Sequence, residues 1–185
     1  MLLDCRDEVS RFLGAVRVLG EKLLCCCLQF GYFNRGKFSS LNALLDRLEP
    51  FLAAWPVDVP LAVEVRNKNW ITAALGECLR RHNAVWVLPD QVWMPSPLSV
   101  VERLDVVTGP FAYVRLLGDR EAVDALTDTL DHIVIDREEQ VASDAEAIKL
   151  LSKRVPVVAF VNNHFAGYAP ETARQLVALT EAGSA

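Results

Sequence analysis

The sequence has no hydrophobic segment long enough to cross a membrane. A membrane-spanning helix needs about 20 consecutive apolar residues, whereas the longest apolar run, 155–161, has only the length of a β strand and contains Pro156. The first eight residues include Asp7 and Glu8 and no basic segment, which is not the pattern of a signal peptide. We therefore expect a cytoplasmic protein with no membrane partner.

Cysteine is too scarce for a disulfide scaffold, with five residues in a chain of 185. In the reducing compartment expected here, these cysteines should be free thiols. Cys25, Cys26 and Cys27 are consecutive, and adjacent side chains on a strand point to opposite faces, which is poor geometry for binding a metal. We interpret the three as small hydrophobic residues of a buried strand.

Basic residues and histidines are also few. The chain has 19 Lys and Arg against 24 Asp and Glu, and this acidic balance disfavours nucleic-acid binding, although a local basic patch remains compatible with it. Only three histidines are present, without HxH or HExxH spacing, so no metal site is predicted and no cofactor is evident. A hard cation held by Glu64, Asp90 and Asn162 is the alternative.

What the sequence does contain is an alternation of apolar strand and helix patterns. Strands are predicted at 23–30, 61–66, 84–88, 111–117 and 156–161. Helices are predicted at 4–18, 38–55, 71–82, 120–132, 138–153 and from Pro170 onward. Such alternation is typical of an α/β fold with a parallel sheet and helical crossovers. We predict one domain over 1–185, a length well short of the roughly 250 residues of a complete β/α barrel.

Each predicted strand carries polar residues at its carboxyl end, where ligands bind in α/β folds. These residues are Gln29, Glu64, Arg66, Asp90, Tyr113, Arg115, Asn162 and Asn163. Charges inside apolar strands are costly unless they are paired or bind a ligand. Glu64 with Arg66 or Arg115 therefore has two interpretations: a structural ion pair, or a general acid/base beside guanidinium groups that hold an anionic substrate.

One segment, Gly31 to Lys37, matches the phosphate-binding pattern G-x-x-x-x-G-K and lies between a predicted strand and a predicted helix. Phe38 follows the lysine, where Ser or Thr should ligate magnesium. We therefore interpret the match as a coincidence.

Four segments of the chain resemble, in order, motifs of the YecE-like proteins, the bacterial domain-of-unknown-function family 72. The segments are Leu19–Leu23 with Leu28–Phe30 and Tyr32–Phe33; Ala62–Arg66 with Trp70; Tyr113–Leu116 with Gly118; and Phe160–Asn163 with Gly167, Ala169, Pro170 and Ala173. Two positions depart from the motifs: Leu117 replaces a histidine, and Gly31 replaces a proline.

The resemblance implies a TIM-type β/α barrel that is incomplete here, with about the last five β/α units and the first three strands missing. It supplies candidate positions but no reaction. We assign Glu64 and Arg115 as catalytic candidates. The ligand-binding candidates are Gln29, Arg66, Trp70, Asp90, Tyr113, Asn162 and Asn163.

Three functions follow as hypotheses. The first is acid/base or hydrolytic chemistry on a small polar or anionic ligand at the carboxyl ends of the strands. The second is a truncated, non-catalytic binding or assembly module, because a five-stranded sheet leaves two open edges, in the strands 23–30 and 156–161, that invite self-association. The third is a nuclease-like barrel that uses Arg66 and Arg115 on phosphates.

Overall fold

The computed structural model describes residues 3–182, in which five β strands alternate with seven α helices. The strands are β1 (Cys26–Gln29), β2 (Leu61–Glu64), β3 (Val85–Gln91), β4 (Ala112–Gly118) and β5 (Val157–Val161). The α helices are α1 (Arg6–Val16), α2 (Leu41–Ala53), α3 (Ala73–Arg81), α4 (Pro97–Val101), α5 (Arg120–Asp124), α6 (Glu138–Ser152) and α7 (Ala169–Glu181). Short 3₁₀ helices span Arg17–Lys22, Lys68–Trp70 and Asn163–Phe165.

All five strands are parallel and lie in the order β1-β2-β3-β4-β5, so every strand pairs with its neighbour along the chain. The predicted α/β class and parallel sheet are confirmed. The edges are β1 and β5, as expected, and the sheet is not closed within the residues that the structure describes. The β2–β3 ladder is the shortest, with only Ala62↔Val85 and Val63↔Trp86 in register.

The main core lies on one face of this sheet, between the strands and the helices. Right-handed crossovers that always advance in one direction place the helices on the same side. Fully buried side chains there include Leu44 and Leu48 of α2, Leu75 and Leu79 of α3, and Trp86 of β3. A second, smaller cluster on the opposite face contains Ala62, Val85, Val87, Phe111 and Tyr113.

We call that opposite side of the sheet the open face. Because side chains alternate along a strand, the open face also takes the residues two positions away from those of the smaller cluster. It comprises Cys25, Cys27, Gln29, Ala62, Glu64, Val85, Val87, Pro89, Phe111, Tyr113, Arg115, Val158 and Phe160.

Local side-chain bonds determine where several helices begin. Ser40 accepts a hydrogen bond from the Ala43 amide at the start of α2, and Asp119 accepts one from Ala122 at the start of α5. Gly118, at the end of β4, has φ +67°, and a Cβ there would collide with the backbone of His164 and Phe165. Glycine therefore permits the close approach between β4 and the turn after β5.

Two predicted boundaries are wrong. The helix predicted at 120–132 ends at Asp124, because the Thr127 hydroxyl donates to the Thr129 carbonyl and accepts from the Thr129 amide, and these bonds compete with helical hydrogen bonds. The strand predicted at 84–88 continues through Pro89 to Gln91. Proline is tolerated there because the ladder with β2 has already ended at Trp86.

Among residues 3–182, no helix combines the length and the apolar character needed to span a bilayer.

Candidate functional site

Glu64, the last residue of β2, lies at the centre of a charged cluster on the open face. Its side chain is 0% exposed. Oε1 accepts a hydrogen bond of 2.8 Å from Nε of Arg66, and Oε2 accepts one from Nη1 of Arg115. Two guanidinium groups therefore satisfy a carboxylate that would be very costly to bury alone.

The register of the sheet explains why these residues meet. Gln29 is the Cα partner of Glu64 on β1, and Arg115 extends from β4 across the short side chains of β3. Nη1 of Arg115 also donates to Oε1 of Gln29, at 3.1 Å. We call Gln29, Glu64, Arg66 and Arg115 the arginine–glutamate cluster. The structure thus brings together four of the predicted site residues, including both catalytic candidates.

The cluster carries more positive than negative charge, since two guanidinium cations face one carboxylate. Burial opposes the charged form of Arg115, but the charge and hydrogen bond of Glu64 outweigh it and raise the pKa of Arg115. Side-chain exposure is 24% for Arg66 and 23% for Arg115. Within residues 3–182 no hydrogen bond is recorded from the Nη atoms of Arg66 or from Nε and Nη2 of Arg115. These N–H groups can serve an anionic ligand.

Three other side chains of the open face surround the cluster. Tyr113 packs against Phe160 with the rings tilted and their centroids 5.7 Å apart. Burial raises the pKa of Tyr113 to about 12, against the opposing charge of Arg115, so its phenol is neutral at physiological pH. Burial and then the charge of Glu64 raise the pKa of Cys27, while Arg115 and Arg66 oppose them, which places this thiol within reach of the cluster's charges.

Trp70 does not join the cluster. It is 4% exposed and packs in an aromatic group, with ring centroids 6.0 Å from Phe33 and 6.5 Å from Phe38. It therefore supports the loop after β1 from within the core.

Asn162 and Asn163 cap backbone groups in the turn after β5. Oδ1 of Asn162 accepts from the His164 amide at 2.9 Å, and Oδ1 of Asn163 accepts from the Ala169 amide at 2.9 Å. Both side chains stabilise the turn after β5, which packs closely against Gly118. Neither is bonded to the arginine–glutamate cluster.

Asp90 lies on the helix side of the sheet. Because β3 continues to Gln91, side chains still alternate at this position, and Asp90 is an odd number of residues away from Val87 of the open face. There it faces Asp144 of α6, and the two carboxyl groups are close enough for each to shift the pKa of the other. Burial raises the pKa of Asp90. Burial, and then the charge of Asp90, raise the pKa of Asp144 to about 9.

Asp144 is a titratable residue that the sequence analysis missed. It is 1% exposed, and its Oδ2 has no hydrogen-bond donor among residues 3–182. A signal existed, because Val141, Asp144 and Ala145 fall at the i, i+3 and i+4 spacing of the apolar stripe of α6. An acidic residue in such a stripe indicates a buried carboxyl group.

The structure does not bring together the three residues considered as ligands of a hard cation. Asp90 and Glu64 lie on opposite sides of the sheet, and both oxygens of Glu64 already accept from arginines. Across residues 3–182, no group of three or more His, Cys, Asp or Glu side chains is placed to hold a metal ion.

The loop that matches the phosphate-binding pattern is organised by its own asparagine. Oδ1 of Asn34 accepts from the amides of Gly36 and Lys37, both at 3.1 Å. These amides are therefore occupied within the loop, in agreement with the interpretation of the match as a coincidence.

Comparison with solved structures shows the fold. A DUF72 family protein from Thermotoga maritima aligns with a TM-score of 0.68 and 22% identity over 98% of this chain. Two structures of a DUF72 family protein from Enterococcus faecalis align over 90% of the chain, with TM-scores of 0.59 and 0.57 and identities of 20% and 18%. This chain spans 66% of the Thermotoga protein and 64% and 62% of the Enterococcus chains.

Comparison with curated proteins finds no match. The family model described as "Protein of unknown function DUF72" matches residues 1–185. The resemblance carried by the four motifs is thereby confirmed at the level of the family. Since the match extends over the whole sequence given, the chain belongs to the DUF72 family.

Proposed function

We propose that this chain binds a small anionic ligand on the open face, at the carboxyl ends of β1, β2 and β4. The observation that supports this is the arginine–glutamate cluster. A fully buried carboxylate fixes two partly exposed arginines side by side and neutralises only one of them. A ligand carboxylate or phosphate would supply the missing negative charge.

Glu64 acts in this proposal as a positioning residue. Each of its oxygens accepts from one arginine, so it holds both guanidinium planes in a defined orientation. An orientation fixed before binding reduces the entropy that ligand binding would otherwise cost. Acid/base or hydrolytic chemistry at Glu64 and Arg115 is the finer form of the proposal, and it would act on the ligand once bound.

The proposed ligand site belongs to a proposed architecture, a TIM-type β/α barrel. The constant direction of the strand order, the helices on one face and the similarity to longer family members support five units of a TIM-type β/α barrel. In such barrels the carboxyl ends of the strands form the ligand site, which is where the cluster lies. A cytoplasmic location stays a prediction.

Replacing Arg115 with glutamine should weaken binding of inorganic phosphate by at least about tenfold, because a charge-assisted hydrogen bond contributes roughly 1.5–3 kcal/mol. Arg66→Gln should act in the same direction. Isothermal titration calorimetry at low ionic strength measures both dissociation constants, and circular dichroism verifies that each variant is folded.

The matched control is Arg154→Gln. Arg154 is also an arginine in an ion pair, 2.8 Å from Asp105, but it precedes β5 at the opposite end of the sheet. Its replacement should leave phosphate binding unchanged. Equal phosphate affinity in the wild-type protein and both cluster variants would contradict the proposal.

A second candidate function, an assembly module, is favoured by the unpaired edges of the sheet. Both β1 and β5 present strand backbone without a partner among residues 3–182, and such edges pair readily with other chains. Size-exclusion chromatography with light scattering over a range of protein concentrations tests it. Self-association that grows with concentration is expected, and a monomer at every concentration would count against the module.

A further inference from the structure

An exposed aromatic ring lies directly beside the arginine–glutamate cluster. Phe160 of β5 is 55% exposed and is the Cα register partner of Arg115 on β4. Neighbouring strands are about 4.8 Å apart, and register partners project to the same side of a parallel sheet. A ligand atom bound by Arg115 would therefore be close to the ring of Phe160.

The ring of Phe160 packs against the ring of Tyr113. Tyr113 packs against it at a centroid distance of 5.7 Å and an interplanar angle of 52°, and Tyr113 itself is only 8% exposed. The tyrosine thus restricts the orientation of Phe160 while leaving much of that ring uncovered. An aromatic ring that is both exposed and oriented in this way can pack against a planar ring of a ligand.

We infer that the ligand joins an anionic group to a planar ring, with the anion on Arg66 and Arg115 and the ring on Phe160. This inference rests on the proposed function and specifies its ligand class as an aryl or heteroaryl phosphate or carboxylate. Stacking on an aromatic side chain is tolerant of ring chemistry, because every planar ring offers a π face.

The charges of the open face fit the same class. Glu64 is the one acidic side chain among the residues that define the open face, and two arginines already bind it. The positions around Phe160 are Tyr113, Arg115 and Val158, none of which repels an anion. The cluster therefore offers donors on one side and an apolar ring on the other.

The test compares phenyl phosphate with inorganic phosphate by calorimetry. Wild-type protein should bind phenyl phosphate about tenfold more tightly, since a stacked ring contributes on the order of tenfold or more in affinity. In Phe160→Leu the ratio of the two dissociation constants should fall to about one. Phe12→Leu, which removes an exposed phenylalanine of α1, should keep the ratio near ten.

The outcomes separate the two proposals. If inorganic phosphate binds but phenyl phosphate binds no better, or if Phe160→Leu retains the preference, the inference is overturned and the proposed function stands. If neither compound binds, the proposed function itself fails. If Phe160→Leu changes the oligomeric state in light scattering while the ratio persists, the ring serves self-association and the inference is overturned. Adenosine monophosphate in the same titration distinguishes a nucleotide from a simpler aryl anion.

Discussion

Replacing Glu64 with glutamine is expected to lower the free energy of unfolding by about 3 kcal/mol, because breaking a buried ion pair leaves uncompensated charge behind. Glutamine has nearly the same shape, so packing is retained. However, its Nε2–H₂ group would face an arginine donor in place of the carboxylate oxygen that now accepts from Arg66 or Arg115. Two guanidinium groups would then lie close together without their shared counter-ion.

Urea denaturation of Glu64→Gln, Arg115→Gln and the double variant measures this effect. In such a cycle, the double variant should be less destabilised than the sum of the single variants, because one partner's removal already breaks the pair. The matched control is Glu49→Gln, whose carboxylate is bonded to Arg81 at the surface and should leave the urea midpoint nearly unchanged. A Glu64→Gln midpoint equal to that of the wild-type protein would show that the cluster does not stabilise the fold.

Replacing Asp144 with asparagine is expected to stabilise the protein at pH 7, by about 2–4 kcal/mol. The folded chain holds the proton of Asp144 up to a pKa of about 9, whereas the ordinary value is 3.8. At pH 7 the folded state must therefore bind a proton that the unfolded state lacks. Asparagine is always neutral and can donate to Asp90, so this cost disappears.

The sign of the pH dependence follows from the raised pKa. The contribution of Asp144 to stability is fully present below pH 4, decreases as the pH rises, and is lost above about pH 9. Subtracting the Asp144→Asn unfolding free energy from that of the wild-type protein at each pH isolates this contribution. Asp128→Asn, at an exposed position, is the control for the substitution itself. A flat difference for Asp144→Asn would show that the folded chain does not hold this proton.

The arginine–glutamate cluster could be predicted from the sequence because it depends on two simple rules. Charged residues inside apolar strands need partners, and the carboxyl ends of parallel strands converge at one edge. Glu64 and Arg115 follow both rules, and Gln29 follows the second. The sequence analysis left open whether Glu64 forms an ion pair or acts as a base, because the choice depends on which carboxylate lone pairs remain free.

The contact between Asp90 and Asp144 could not be predicted from sequence patterns. The face on which Asp90 lies depends on the end of β3, and Pro89 suggested an end that the strand does not have. A proline stops a strand only where both neighbouring ladders continue, and that is a property of the assembled sheet. Asp144 was overlooked because an acidic residue in a helix is ordinarily exposed, and only its position in the apolar stripe indicated otherwise.

Because the ladder between β2 and β3 is short, the bond between Glu64 and Arg115 also helps to hold the sheet together. Backbone pairing divides the sheet into a β1–β2 half and a β3–β4–β5 half joined by two register pairs. Arg115 belongs to one half, while Glu64 and Gln29 belong to the other. The side-chain bonds of Arg115 therefore join the two halves where backbone pairing between them is shortest. Hydrogen exchange of the backbone amides that pair β2 with β3 should therefore accelerate when the bond between Glu64 and Arg115 is removed and slow when an anion binds to the arginine–glutamate cluster.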